Sequence, residues 1–394
     1  MEDENQNMMP VPDYPTFPLS SYMCLKVLSC NAHLACPFSE AYIDMVPMQN
    51  DREDVYFFPL QTLIPKAYSF LSLEANNFTG IRIADPENAT EEQKAAFHCL
   101  QNFLQNQEDH IKSLQAMRTE VQDATKACYT LAVHLFSQLV PGEQVTINSR
   151  MKGIDELPSC PCKCGRKIDI GNTGIGHPKV WHGNPDIVIK TGETTIVVKK
   201  NVKDTRGDGP ESKKSKLSDE DEEDEDYSFY SVEEGTDIFE YKFQNQLISQ
   251  TLTNSFVQKN QHGFIKRLVP AIGCTHDNII VALYDPDRDI LLRRVAPISV
   301  LEEDSDSFNL LGILEIWRIL NLHIVGADLC NLIVTELDQS GFRSQIEARK
   351  VLKYYSSAKT DISIGQSQNI LPPLLTVMSN VKRGKFIVKG ISNK

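Results

Sequence analysis

The sequence predicts an α/β (α+β) protein, a mixed sheet flanked by helices, and three observations carry that expectation. The composition is that of an ordinary globular chain: 394 residues, 41% hydrophobic and 24% charged. The hydrophobic period changes from 3.6 to 2 after Pro141-Gly142. The middle of the chain then runs helix, strand, hairpin, helix, strand, an order that builds a sheet-and-helix core and not a bundle. The length leaves room for two or three domains, or one large decorated one.

Residues 1–86 hold nine of the twenty prolines and show little periodicity, so they read as an irregular N-terminal arm with short pieces packed on the body. Residues 87–119 read as a helical extension, opened by the acidic start Asn88-Ala89-Thr90-Glu91-Glu92. The core spans 120–300. Its first helix places Val121, Ala124, Cys128, Leu131, Ala132, Leu135 and Leu139 on one face, and Pro141-Gly142 ends it. Residues 167–170 make a short strand, and a turn with Gly171, Gly174 and Gly176 leads to Trp181-His182-Gly183-Asn184.

Two strands follow. Pro185-Asp186-Ile187-Val188-Ile189 is β-branched, Thr191-Gly192-Glu193 is a tight turn, and residues 194–200 form the second strand of a hairpin. Residues 237–257 read as a helix, with Leu247, Ile248, Leu252 and Phe256 toward a core and Gln246, Gln250 and Asn254 along another face. A further strand pair is expected at 279–284 and 290–295, joined by Asp285-Pro286-Asp287-Arg288-Asp289. The remainder, 301–394, is a helical C-terminal region with helices near 308–324 and 342–357. It ends in a basic tail: Lys382, Arg383, Lys385, Lys389 and Lys394.

The formal net charge of −13 argues at first against a nucleic-acid partner, which needs bases to neutralise phosphates. The acid is unevenly spread, however. Residues 201–236 hold thirteen acids and five bases, a net of −8, which leaves −5 for the other 358 residues. Asp219 to Asp226 is a run of eight acids, preceded by Lys213, Lys214 and Lys216. Such a block reads as a disordered, solvated insert, and it offers a surface for protein partners.

The start Met1-Glu2-Asp3-Glu4-Asn5 is no secretory leader. The apolar stretch 310–325 is interrupted by Glu315, Arg318 and His323, so it reads as a buried helix and not a membrane span. With ten cysteines best read as free thiols, an intracellular protein, nuclear or cytoplasmic, without membrane contact is expected.

The order of helix, strand, Pro-Asp strand, lysine strand, helix and strand resembles the restriction-endonuclease-like PD-(D/E)XK nuclease superfamily. The resemblance covers roughly residues 120–300, and Trp181-His182-Gly183 ahead of Pro185-Asp186 adds to it. It implies a restriction-endonuclease-like mixed sheet, nucleic acid as partner and Mg²⁺ as cofactor. In that family an aspartate and a second acid hold the metal, and a lysine two residues after the acid stabilises the transition state.

Carried onto this chain, Asp186 is the metal-binding aspartate and Lys199 the lysine, thirteen residues on. Gln246 on the following helix is the positioning group. The position of the second acid, two before the lysine, is Val197, which cannot ligate a metal; for Lys200 the matching position is Val198, which fails likewise. Glu240 is the substitute acid and second metal ligand in this reading, with Glu193, Glu120 and Asp123 as alternatives.

A second cluster, Cys160-Pro161-Cys162-Lys163-Cys164 with His177 and His182 downstream, offers an x₃ spacing between Cys160 and Cys164 that a structural Zn²⁺ could use. Gly171-Asn172-Thr173-Gly174-Ile175-Gly176 lacks the lysine and spacing of a phosphate loop. His182 is read as bonding its own turn. The expected function is therefore a nuclease-like protein on nucleic acid with an impaired metal site. The alternative is a non-catalytic interaction module that uses the acidic insert and is stabilised by zinc.

Overall fold

The computed structural model describes residues 20–362, apart from 50–54, 74–79, 120–123, 143–144, 152–167, 192–193, 201–240, 264–267, 276–277, 303–306 and 336, together with 387–388. The basic tail, apart from 387–388, and the acidic insert lie outside these residues. A large mixed sheet runs through the molecule. Its strand order is Ile387–Val388, Tyr56–Pro59, Ser21–Cys30, Ile290–Arg294, Asn278–Asp285, Val269–Cys274, Thr194–Lys200, Ile187–Thr191, Val145–Asn148 and Asp169–Gly171. Neighbours are antiparallel except at the two edges and at the central pair Thr194–Lys200 with Val269–Cys274.

That central parallel pair is joined across the acidic insert and the helix Tyr241–His262, because parallel strands need a long crossover. The expected hairpin is present: Ile187 lies opposite Val198, and Thr191 opposite Thr194. The expected pair at 279–284 and 290–295 is also present, as Asn278–Asp285 with Ile290–Arg294.

Both faces of the sheet are covered, so its central strands read as almost unbroken apolar runs such as Val269–Cys274. Alternate residues go to opposite cores. Ile187, Ile189, Ile196, Val198 and Ile272 face helices drawn from 91–139 and 310–325, while Val197, Ala271, Ile280 and Tyr284 face the Tyr241–His262 helix. A Cβ on Gly273 would sit 2.8 Å from the Phe243 ring, so glycine is what lets that helix approach the central strands closely.

One expectation needs correction and three gain detail. Within its described part, from residue 20 on, the N-terminal region is no irregular arm: Ser21–Cys30 is a ten-residue strand inside the main sheet, with Tyr22 and Leu25 fully buried. The helical extension is two helices, Glu91–Gln105 and Gln107–Thr119, and Thr90 with Gln93 forms a reciprocal capping box at the start of the first. The first core helix contains a π-turn, Ala132–Phe136, between Ala124–Leu131 and Ser137–Leu139.

In the C-terminal helix Leu310–Leu320, the charges that interrupt the apolar run are themselves buried. Glu315 accepts two bonds from Arg294, at 2.8 and 3.0 Å, and one from Tyr22, while the Arg318 guanidinium lies 4.3 Å from the Tyr68 ring centre. Among the described residues no helix is long and apolar enough to cross a membrane.

Candidate functional site

Asp186 stands at the mouth of the hairpin, and its backbone is fixed from both sides. Its N–H donates to the Val198 carbonyl at 3.1 Å, and its own carbonyl accepts from Asn148 N–H at 3.0 Å. The loop before it is equally built. Thr173 Oγ1 donates to the Pro185 carbonyl at 2.7 Å, Trp181 is fully buried and donates to Asn31 Oδ1, and His182 Nδ1 donates to the Val180 carbonyl of its own turn at 2.8 Å. Trp181-His182-Gly183 is thus the support of the Pro-Asp turn. Gly176 has φ +108, and a Cβ there would lie 2.4 Å from the Trp181 carbonyl oxygen, so the turn glycine is required by close backbone contact.

Cross-strand pairing places Lys199 opposite Asp186. The Lys199 ammonium is 2.9 Å from one carboxylate oxygen and 3.2 Å from the other. The Lys200 N–H donates to the Asp186 carboxylate at 2.9 Å. Burial pushes the Lys199 pKa down, but the attraction and hydrogen bond of Asp186 outweigh it, so the lysine is held above its ordinary value and stays charged. Cys128 and Cys274 flank the pair. Burial pushes both thiols up, Cys274 to about 12, so they are inert neutral neighbours and not nucleophiles.

Val197 shares the Asp186–Lys199 face by strand alternation and is fully buried in the core beneath the Tyr241–His262 helix. Gln246 is half-buried on that helix. The polar stripe that follows is not solvent-facing: Gln250 and Asn254 are fully buried. Asn254 Nδ2 donates to the Thr195 carbonyl at 2.7 Å, and Gln258 Oε1 accepts from Thr195 N–H at 3.0 Å. These amides clamp the start of the lysine strand to the helix, whereas the sequence reads the stripe as facing the site. Gln250 is left with neither amide atom bonded among the described residues.

Glu240, Glu193, Glu120 and Asp123 lie outside the described residues, as do Cys160, Cys162 and Cys164. Among the described residues there is no group of three or more His, Cys, Asp or Glu able to hold a metal. His177, one of the two histidines considered for zinc, stacks on Tyr354 at 5.0 Å. Mg²⁺ needs several oxygen ligands, whereas here both Asp186 oxygens are engaged by Lys199 and Lys200 and the neighbouring position is a core valine. The described residues do not fit the ion. Comparison with protein-family models, curated proteins and solved structures returns no match.

Proposed function

We propose that this chain is a restriction-endonuclease-like protein that binds nucleic acid without hydrolysing it. The order of helix, strand, hairpin, helix and parallel strand, with an aspartate and a lysine meeting at the hairpin mouth, supports the kinship. One observation carries the loss of chemistry. Asp186 is closed into an ion pair with Lys199 at 2.9 Å, and the residue beside them is the buried Val197. A lysine so engaged supplies positive charge to the site but no metal-bound water.

The test is incubation of labelled single- and double-stranded DNA and RNA with Mg²⁺ and the wild-type, Asp186→Ala or Glu240→Ala protein. Retarded but uncut strands support the reading. Cleavage by wild type that is lost in both variants overturns it and makes Glu240 the second acid. A folded protein that retains no nucleic acid favours the interaction-module alternative.

A further inference from the structure

The segment 342–360 carries five bases, Arg343, Arg349, Lys350, Lys353 and Lys359, against one acid, Glu347, in a chain whose net charge is −13. Arg343 is bonded to Glu347 at 3.0 Å, which leaves Arg349, Lys350 and Lys353 exposed and without an ion pair among the described residues. Their scaffold is rigid. Phe342 is fully buried and stacks on Trp181, and the Tyr355 hydroxyl donates to the Ala32 carbonyl at 3.0 Å.

A second element adds to the same place. Lys179 lies 5.3 Å and Lys353 5.1 Å from the Tyr354 ring centre, with His177 stacked on that ring. His177 is held below its ordinary pKa by burial and by Lys179, so it stacks as a neutral ring. Two cations drawn to one tyrosine ring, neither in an ion pair among the described residues, are charges open to an anionic partner.

The cluster adjoins the site described above. Lys359 pairs with Gly176, Gly176 pairs with His182, and His182–Gly183 runs into Asp186. Four residue steps of chain and two strand spacings put Asp186 within about 23 Å of Lys359, at the end of the same basic segment. Over about 20 Å a duplex presents roughly six phosphates per strand.

We infer that Lys179 and Lys353 at the Tyr354 ring, with Arg349 and Lys350 in the exposed segment just before it, form the surface that grips the phosphate backbone of a nucleic acid. The inference rests on the nucleic-acid reading above and locates the contact outside the hairpin. It predicts that binding is carried by ion release at these four side chains, independent of base sequence.

The test is the salt dependence of binding to a labelled DNA duplex and a labelled single-stranded RNA of equal length. Wild type is compared with the combined variant Lys179→Ala, Arg349→Ala, Lys350→Ala, Lys353→Ala. The four side chains are exposed, so the thermal midpoint should be unchanged, while the slope of log K against log salt on the duplex falls by about 3.6. A variant that binds with wild-type affinity and slope overturns this inference and leaves the nucleic-acid reading standing. Wild type that binds neither probe overturns both. Tighter binding of a polyglutamate peptide than of the duplex also overturns the inference, and makes the partner an acidic protein segment.

Discussion

At the scale of single residues, the mouth of the hairpin is decided by one ion pair, one backbone N–H and one valine. Removing the carboxylate in Asp186→Ala strands a largely buried ammonium and frees the Lys200 N–H, so a loss of about 3 kcal/mol in urea unfolding is expected. The double variant Asp186→Ala, Lys199→Met should recover part of that loss, since no charge is left unpaired. A double variant no more stable than Asp186→Ala would show that the pair does not set the cost. A second buried pair makes a pH prediction. His110 and His134 approach at 3.3 Å, and burial, then the neighbouring His110, lower the His134 pKa to about 4.

The folded state therefore binds fewer protons than the unfolded chain between pH 6.5 and 4. The stability linked to His134 is complete above about 6.5, is lost as pH falls toward 4, and levels off below it; it amounts to at most about 3 kcal/mol. Urea midpoints measured from pH 7 to 4 should fall less steeply in His134→Leu than in wild type. Parallel curves would contradict this origin. The hairpin that brings Asp186 and Lys199 together was legible in its β-branched runs and tight turn, while the two residues themselves were singled out by the resemblance. Their closure onto each other was not legible, since it depends on which rotamer the lysine adopts.

Among the elements, the helix Tyr241–His262 departs most from its sequence pattern. Its amides read as a stripe facing the site, yet Asn254 and Gln258 are spent on the backbone of Thr195, and Gln250 is enclosed without a partner among the described residues. The two kinds of amide should respond in opposite ways. Gln250→Leu removes an unsatisfied buried group and should raise stability by about 1 kcal/mol, whereas Asn254→Ala leaves the Thr195 carbonyl unpaired and should cost about 1–3 kcal/mol. Thermal melts of the two variants check this; destabilisation by Gln250→Leu would indicate that the amide has a polar partner. The strand Ser21–Cys30 was missed for a different reason. The prolines that made the region look irregular, Pro10, Pro12, Pro15, Pro18 and Pro37, lie on either side of the strand and none inside it.

For the whole molecule, the proposed nucleic-acid contact rests on how charge is distributed along an acidic chain. Charge is segregated: the acids concentrate in residues 201–236, while the segment 342–360 gathers bases on a rigid scaffold beside the Pro-Asp turn. The helix–strand–hairpin–helix–strand order was legible because each element has its own period. The interior ionic network of Glu315 with Arg294 and Tyr22 was not, because it joins three separate elements, with Tyr22 293 positions from Glu315 and Arg294 21 positions from it. The central claim is retention of a nuclease-like scaffold that binds and does not cut. Its most direct measurement is a single gel-shift series with a labelled duplex and Mg²⁺, in which bound and cleaved fractions are read from the same lanes. A retarded, full-length duplex whose retention weakens steeply with salt is the expected result; duplex cut by wild type and left whole by Asp186→Ala would contradict it.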